Sequence, residues 1–317
     1  MVHQPSPRTR HYGDFYRVGP SRDDESRPLW LVVGNCQAEA LRLVLDGVDD
    51  RPYTTVRMPP VHELERSDLP YLRALLGRAA VLLSQPIRDG YRDLPLGTAE
   101  LAAALPRTAR VVRWPVIRYA GLHPFQAIVR HPADRSVVPP VVPYHDLRTV
   151  VAARDGKAAD DDWDVEVDDA AFVAVAEASQ AELARREGLQ CDVGVSDVLG
   201  PSGADAAHTV NHPGNGVLTE LGRRALGALG VTASVPVPAR TLLGSAIAPL
   251  EPRVLRARGI VAPGRVDWWF DGAELRSDDV HRAQLQWYRD NPDFIGLAVE
   301  RHAHALDLLG LGTASGS

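Results

Sequence analysis

Cys36 stands in the stretch Gly34-Asn35-Cys36-Gln37, between an apolar run at 29–33 and a segment in which Leu41, Val44 and Leu45 recur at helical spacing. The run is short and wholly apolar, as a strand buried on both faces must be, and Gly34 supplies a turn. The spacing predicts Cys36 at or beside a helix N-terminus, where free backbone N–H groups and the helix dipole favour a thiolate. Strand, turn and helix together give a nucleophile elbow built with cysteine in place of serine. The same residue also suits plain packing, since free cysteine is among the most buried residue types.

Two further stretches carry chemistry. Ser84-Gln85-Pro86-Ile87-Arg88 follows the apolar run Ala79 to Leu83, and in an open parallel sheet ligands bind beyond the carboxyl ends of the strands. Ser84 and Gln85 are therefore expected at the same rim as Cys36, where a glutamine amide can donate to a developing oxyanion. Arg88, Tyr91 and Arg92 are placed to meet an anionic ligand, although exposed arginines are more often simply solvated. The second stretch is Thr209-Val210-Asn211-His212-Pro213, ahead of a helix with Val217, Leu218, Leu221 and Leu226. A histidine fixed there by the adjacent proline can serve as general base to a nucleophile from a distant segment, or can be structural. His123, His131 and His145 fall in or near a proline-rich loop at 132–143 and are not first choices, and Cys191 reads as packing.

The elements that must position these groups follow from pattern and composition. A chain of 317 residues with 45% hydrophobic content supports a substantial globular core. Tyr53 to Val56 reads as a second strand, Asp68 as the N-cap of a helix with Leu72, Leu75 and Leu76, Val111 to Ile117 as a strand broken or placed at an edge by Pro115, and 172–189 as an amphipathic helix. The acidic stretch at 160–169 reads as a solvated loop and first helical turn. Residues 1–28, with an acidic cluster at 23–25, form a polar extension, 29–230 an α/β domain with a mainly parallel sheet, and 231–317 a mostly helical cap that ends in a frayed tail from Thr313.

Net charge −6 and a pI near 6.0 argue against nucleic acid or an anionic membrane as the main partner. Lys157 is the single lysine, so any phosphate clamp must be made of arginine. Two cysteines without metal-ligand spacing suggest neither a disulfide framework nor a metal site, and a reducing cytoplasm is the expected compartment. The N-terminus lacks an apolar core of the signal-peptide kind, and no run of about 18 apolar residues occurs.

Taken in order, Gly34-Asn35-Cys36-Gln37, Ser84-Gln85-Pro86-Ile87, Trp114-Pro115 with Gly121 to Phe125, Tyr144-His145-Asp146-Leu147-Arg148, Thr209 to Pro213, and Leu242 to Pro252 resemble the WcbI-like polysaccharide-biosynthesis enzymes. The resemblance spans roughly residues 29 to 260. It implies a three-layer α/β sandwich similar to the SGNH hydrolases, coenzyme A or acyl-CoA as co-substrate with no metal, and acyl transfer to a hydroxyl of a sugar or similar polar metabolite. It implies Cys36 as nucleophile, His212 as base and Gln85 as oxyanion donor. Asn35, Gln37, Ser84 and Asn211 would assist in positioning, and Arg88, Tyr91 and Arg92 would hold the coenzyme. The hydrolases of that fold carry an aspartate three residues before the histidine, where this chain has Thr209, so another group must orient His212 or the pair acts as a dyad. An esterase or thioesterase at the same site, and a non-catalytic coenzyme A or glycan binder, are the alternatives.

Overall fold

In a computed structural model of the chain, residues 6–17, 26–159 and 161–312 are described; the acidic cluster at 23–25 and the tail from Thr313 lie outside them. The chain divides into two compact units interleaved along the sequence. The first comprises Met1–Ile117, Leu183–Val198 and Gly214–Leu243, and the second Arg118–Glu182, Leu199–Pro213 and Gly244–Ser317.

The first unit opens with α1 (Pro7–His11) and α2 (Gly13–Tyr16), then runs β1 (Leu29–Val33), α3 (Cys36–Asp46), β2 (Thr54–Thr55), α4 (Leu69–Leu76), β3 (Ala79–Ser84), α5 (Thr98–Ala103) and β4 (Arg110–Arg113). The four strands form one sheet in the order β2-β1-β3-β4, every pair parallel. All five residues of β1 are buried, which is why its sequence shows no alternation. Pro115 follows β4, the edge strand, as an imino acid that cannot extend a ladder must. The expected polar extension is in part docked: Phe15 is fully buried in the core with Leu72 and Leu75. Asp68 does not cap α4. Its carboxylate instead accepts from the Glu65 N–H at 3.0 Å, the Tyr16 hydroxyl at 2.7 Å and Arg8 at 2.8 Å, so a residue read as a local cap is a tie to the N-terminal segment.

Beyond β4 come β5 (Gln126–Ala127), β6 (His145–Asp146), α6 (Leu147–Arg154), α7 (Asp169–Gln190), α8 (Ser196–Leu199), β7 (Ala207–Thr209), β8 (His212–Pro213) and α9 (Asn215–Ala228). The chain ends with β9 (Ala246–Ile247), α10 (Pro252–Ala257), β10 (Trp268–Phe270), β11 (Ala273–Leu275), α11 (Ser277–Asp290), α12 (Asp293–Arg301) and α13 (Ala303–Leu308). Between Leu242 and Arg258 the helical residues are those of α10. The aromatic cluster at 267–270 is the middle strand of an antiparallel sheet, β11-β10-β9. Asp271 and Gly272, with φ of 47° and 88°, make the tight turn of its hairpin. No described helix is long and apolar enough to cross a membrane.

Within the first unit α9 lies against α3, and Gly222 sets the approach. A Cβ at Gly222 would stand 2.7 Å from Cγ1 of Val44, a β-branched side chain with no exposed surface and no room to turn. Gly222→Ala is therefore expected to destabilise the protein by about 1–3 kcal/mol in urea unfolding despite alanine's higher helix propensity. Gly227→Ala on the same helix, where an added Cβ meets nothing within 4 Å, should be neutral or stabilising. Equal losses at both positions would contradict this account of the packing.

Candidate functional site

The turn after β1 is held by two glutamine side chains. Gly34 has no Cβ, and one built there would stand 2.5 Å from Oε1 of Gln85, so the Gln85 amide lies directly on the backbone of the turn. Gln85 Oε1 accepts the Asn35 N–H at 2.9 Å, and its Nε2 donates to Gln37 Oε1 at 3.2 Å. Gln37 continues the chain: its Oε1 accepts the Ile117 N–H at 3.0 Å and its Nε2 donates to the Ile117 carbonyl at 2.7 Å. Both glutamines are almost wholly buried. The segments following β1, β3 and β4 are thereby tied together through groups that would be costly to leave unpaired.

Asn35 is the N-cap of α3, its side chain accepting the Gln37 N–H at 2.9 Å, and Cys36 is the first helical residue. The expected elbow is present. The backbone N–H groups of Cys36 and Gln37 are directed at the Cys36 sulfur and favour its thiolate, but burial outweighs them, Glu63 adds repulsion, and the thiol pKa is raised rather than lowered. This corrects the expectation of a thiolate preformed by the helix terminus: the thiol rests protonated at neutral pH. Cys191, half-buried near Glu187 and Asp192, is pushed up to about 11, first by burial.

The other first-unit residues fall into place around this turn. The amide N–H groups of Gln85 and Gln37 are turned into the web, so both act on the backbone, and the donors facing the sulfur are the N–H groups of residues 36 and 37. Ser84 is fully buried, its hydroxyl donating to the Gln85 carbonyl at 2.8 Å and lying 3.2 Å from Thr98 Oγ1. Arg92 donates to the His62 carbonyl and Tyr91 packs against the core. Arg88 is exposed and lines a shallow groove of about 830 Å³ together with Arg113 and Asp192, which pair with each other at 2.8 Å.

His212 belongs to the second unit. There Nε2 lies 3.5 Å from the Tyr144 hydroxyl, the limit of a hydrogen bond. Tyr144 donates to Asn211 Oδ1 at 3.0 Å, which also accepts from Thr209 Oγ1 at 3.1 Å. Thr209, standing where an orienting carboxylate was expected, is fully buried in this cluster, and the Tyr144 phenol lies beside His212. His123 is held between the carbonyls of Pro249 and Ala207 and its pKa is lowered to about 4 by burial, as befits a core histidine.

Sequence reasoning missed a cavity of the second unit, about 740 Å³, whose walls include Tyr144, Arg148, Trp163, Glu251, Trp268 and His281. Arg148 is its anchor. It is 7% exposed, pairs with Asp146, Asp164 and Glu251 at 2.7, 2.7 and 2.9 Å, and lies 4.0 Å from the Phe125 ring centroid. The stretch at 160–169, read as solvated, contributes Trp163 and Asp164 to this wall. The visible signal was the pair of segments Tyr144 to Arg148 and Pro249 to Pro252, read only for family likeness. Among the described residues no group of three or more His, Cys, Asp or Glu is placed to hold a metal ion.

Gly34→Ala should break the close approach of Gln85 and lower stability by about 1–3 kcal/mol, as loss of buried hydrogen bonding does. Because both changes strike one contact, Gly34→Ala with Gln85→Ala should be no less stable than Gln85→Ala alone. Additive losses in denaturant titrations would show that the glycine serves another purpose.

No curated protein matches the chain. Among solved structures, WcbI, described as a novel polysaccharide biosynthesis enzyme and recorded as a native form without a disulfide bond between coenzyme A and one of its cysteines, superposes with a TM-score of 0.73 at 19% identity. That match covers 91% of this chain and 100% of the other. The sequence model of the polysaccharide biosynthesis enzyme WcbI matches residues 29–234, the span that holds the Cys36 turn, the glutamine web and the His212 cluster. The chain belongs to the WcbI family of polysaccharide biosynthesis enzymes.

Proposed function

We propose that the protein transfers an acyl group, acetyl in the simplest case, from acyl-CoA to a hydroxyl of a saccharide or similar polar metabolite, with Cys36 as the centre. The observation that carries this is Cys36 at the first turn of α3 with two backbone N–H groups directed at its sulfur, on a turn locked by Gly34, Gln85 and Gln37. Membership of a polysaccharide biosynthesis family supports the acceptor class, and the coenzyme A named for the WcbI structure supports the donor. An acyl-CoA donor puts the reaction in the cytoplasm. On this reading residues 29–230 carry the chemistry in SGNH-like layers.

A protonated thiol needs a base, and His212 takes that role in this proposal. His212 removes the Cys36 proton as sulfur attacks the thioester carbonyl. The new sulfur–carbon bond forms, the bond to the coenzyme sulfur breaks, and the proton passes to the departing coenzyme thiolate. The acceptor hydroxyl then attacks the acyl-cysteine, its proton going to His212 and on to the Cys36 sulfur as that bond breaks. The N–H groups of residues 36 and 37 supply charge stabilisation near the sulfur, with Asn35, Gln37 and Gln85 holding the turn and Asn211 and Tyr144 holding the imidazole. Arg88 is the best-placed of the expected phosphate contacts, being exposed in its groove, with Tyr91 and Arg92 beside it in sequence.

Incubation with acetyl-CoA should give a single acetyl adduct by intact mass that is absent in Cys36→Ala and strongly reduced in His212→Ala. If Cys36→Ala consumes acetyl-CoA with an acceptor at the wild-type rate, the covalent route is wrong. Because the thiol pKa is raised, the thiolate fraction is small at neutral pH and grows as pH rises past the ordinary thiol range, about 8.5. Alkylation of Cys36 by iodoacetamide, followed in a Cys191→Ser background, should therefore still be climbing above that range. A plateau reached near pH 6 would mean a preformed ion pair instead.

A further inference from the structure

The surroundings of the Cys36 turn are built in part by residues far ahead of it in the chain. The Gly34 carbonyl accepts the Val61 N–H at 2.8 Å, so the short 3-10 turn Val61–Glu63 is bonded directly to the segment that presents the cysteine. Each residue after Val61 is held in its own way. The His62 carbonyl accepts from Arg92, the Glu63 carbonyl accepts from Arg8 at 2.8 Å, and Leu64 is 2% exposed in the core. The Tyr12 hydroxyl, 3.4 Å from Glu63 Oε2, restrains the carboxylate itself. Glu63 in turn is near enough to Cys36 to repel negative charge on its sulfur.

Arg8 and Tyr12 belong to residues 6–17, and that segment is fastened to the first unit. Phe15 is fully buried in the same cluster as Val61 and Leu64, and Arg8 and Tyr16 both bond the Asp68 carboxylate, at 2.8 and 2.7 Å. The groups able to bear charge around Glu63 are Arg8 and Tyr12, Arg57 across the Tyr12 ring at 5.7 Å from its centroid, and His62 on the same turn at 4.0 Å.

We propose that residues 6–17 act as a strap that sets the reactivity of Cys36, with Arg8 and Tyr12 as positioning residues that keep the Glu63 carboxylate beside the cysteine turn. The strap precedes residues 29–234, the span of the WcbI family model, so the family match does not supply it. A fixed negative charge makes ionisation of a neighbouring thiol harder, and Cys36 stays protonated until a base acts on it. That the strap thereby governs acyl transfer rests on the acyl-transfer reading; that it governs the thiol does not.

The test follows alkylation of Cys36 by iodoacetamide, an uncharged reagent, against pH in full-length Cys191→Ser protein, with urea unfolding to show that each variant is folded. Glu63→Gln keeps the shape and removes the charge. Its profile should move to lower pH, with alkylation about two- to threefold faster at neutral pH, a modest gain because the exposed carboxylate is screened. Arg8→Ala, which releases the Glu63 carbonyl, should move the profile in the same direction, and should move it no further in a Glu63→Gln background. If Arg8→Ala does not fold, Tyr12→Phe, which removes only the hydroxyl bonded to Glu63, takes its place under the same outcomes. A Glu63→Gln profile coincident with the parent, a strap variant that leaves the profile unmoved, or an equal shift with and without the Glu63 charge would each overturn the assignment. The acetyl adduct reports separately on the acyl-transfer reading: a shifted profile with no adduct leaves the strap standing and removes its bearing on catalysis.

Discussion

The contact on which the site depends is the approach of the Gln85 amide to the backbone at Gly34. Only a residue without Cβ allows it, and only a side chain with both a donor and an acceptor can take the Asn35 N–H on one atom and pass a bond to Gln37 on the other. Gln37 then closes on both polar groups of Ile117, so three chain segments at the ends of parallel strands are fixed by two buried amides. A parallel sheet leaves those ends without ladder partners, and the web supplies the missing bonds beside Cys36. The first turn of α3 is set by this web before any ligand arrives.

The electrostatics of Cys36 follow from the same rigidity. Its sulfur faces two N–H groups, yet it is partly buried and Glu63 is near enough to repel added negative charge. Burial wins, and the thiol stays protonated. This resting state protects the residue from oxidation and alkylation and makes its activation conditional on a base.

Much of this was legible in the chain. The wholly apolar β1 and β3, the glycine turn and the helical spacing after Cys36 located the elbow, and the order of short segments gave the family. What was not legible involves residues whose partners are far away in sequence. Gln85 and Gln37 lie 48 positions apart, and nothing local distinguishes an oxyanion donor from a buried strut. Asp68 sits where an N-cap belongs, but its carboxylate is drawn to Arg8, 60 residues away. The hairpin of β10 and β11 was different: Asp271-Gly272 between two runs is a local turn signal, and the aromatic cluster beside it should have been read as a strand.

The second-unit cavity shows how a charged residue can be structural and still define specificity. Arg148 is buried among three carboxylates and two aromatic rings, so its charge is balanced and serves to hold Asp146, Asp164 and Glu251 in fixed directions. Carboxylates positioned this way keep lone pairs for outside donors while the arginine keeps none of its charge for outside anions. In the first unit Arg88 is exposed in its groove, and no ion pair joins it to a carboxylate among the described residues.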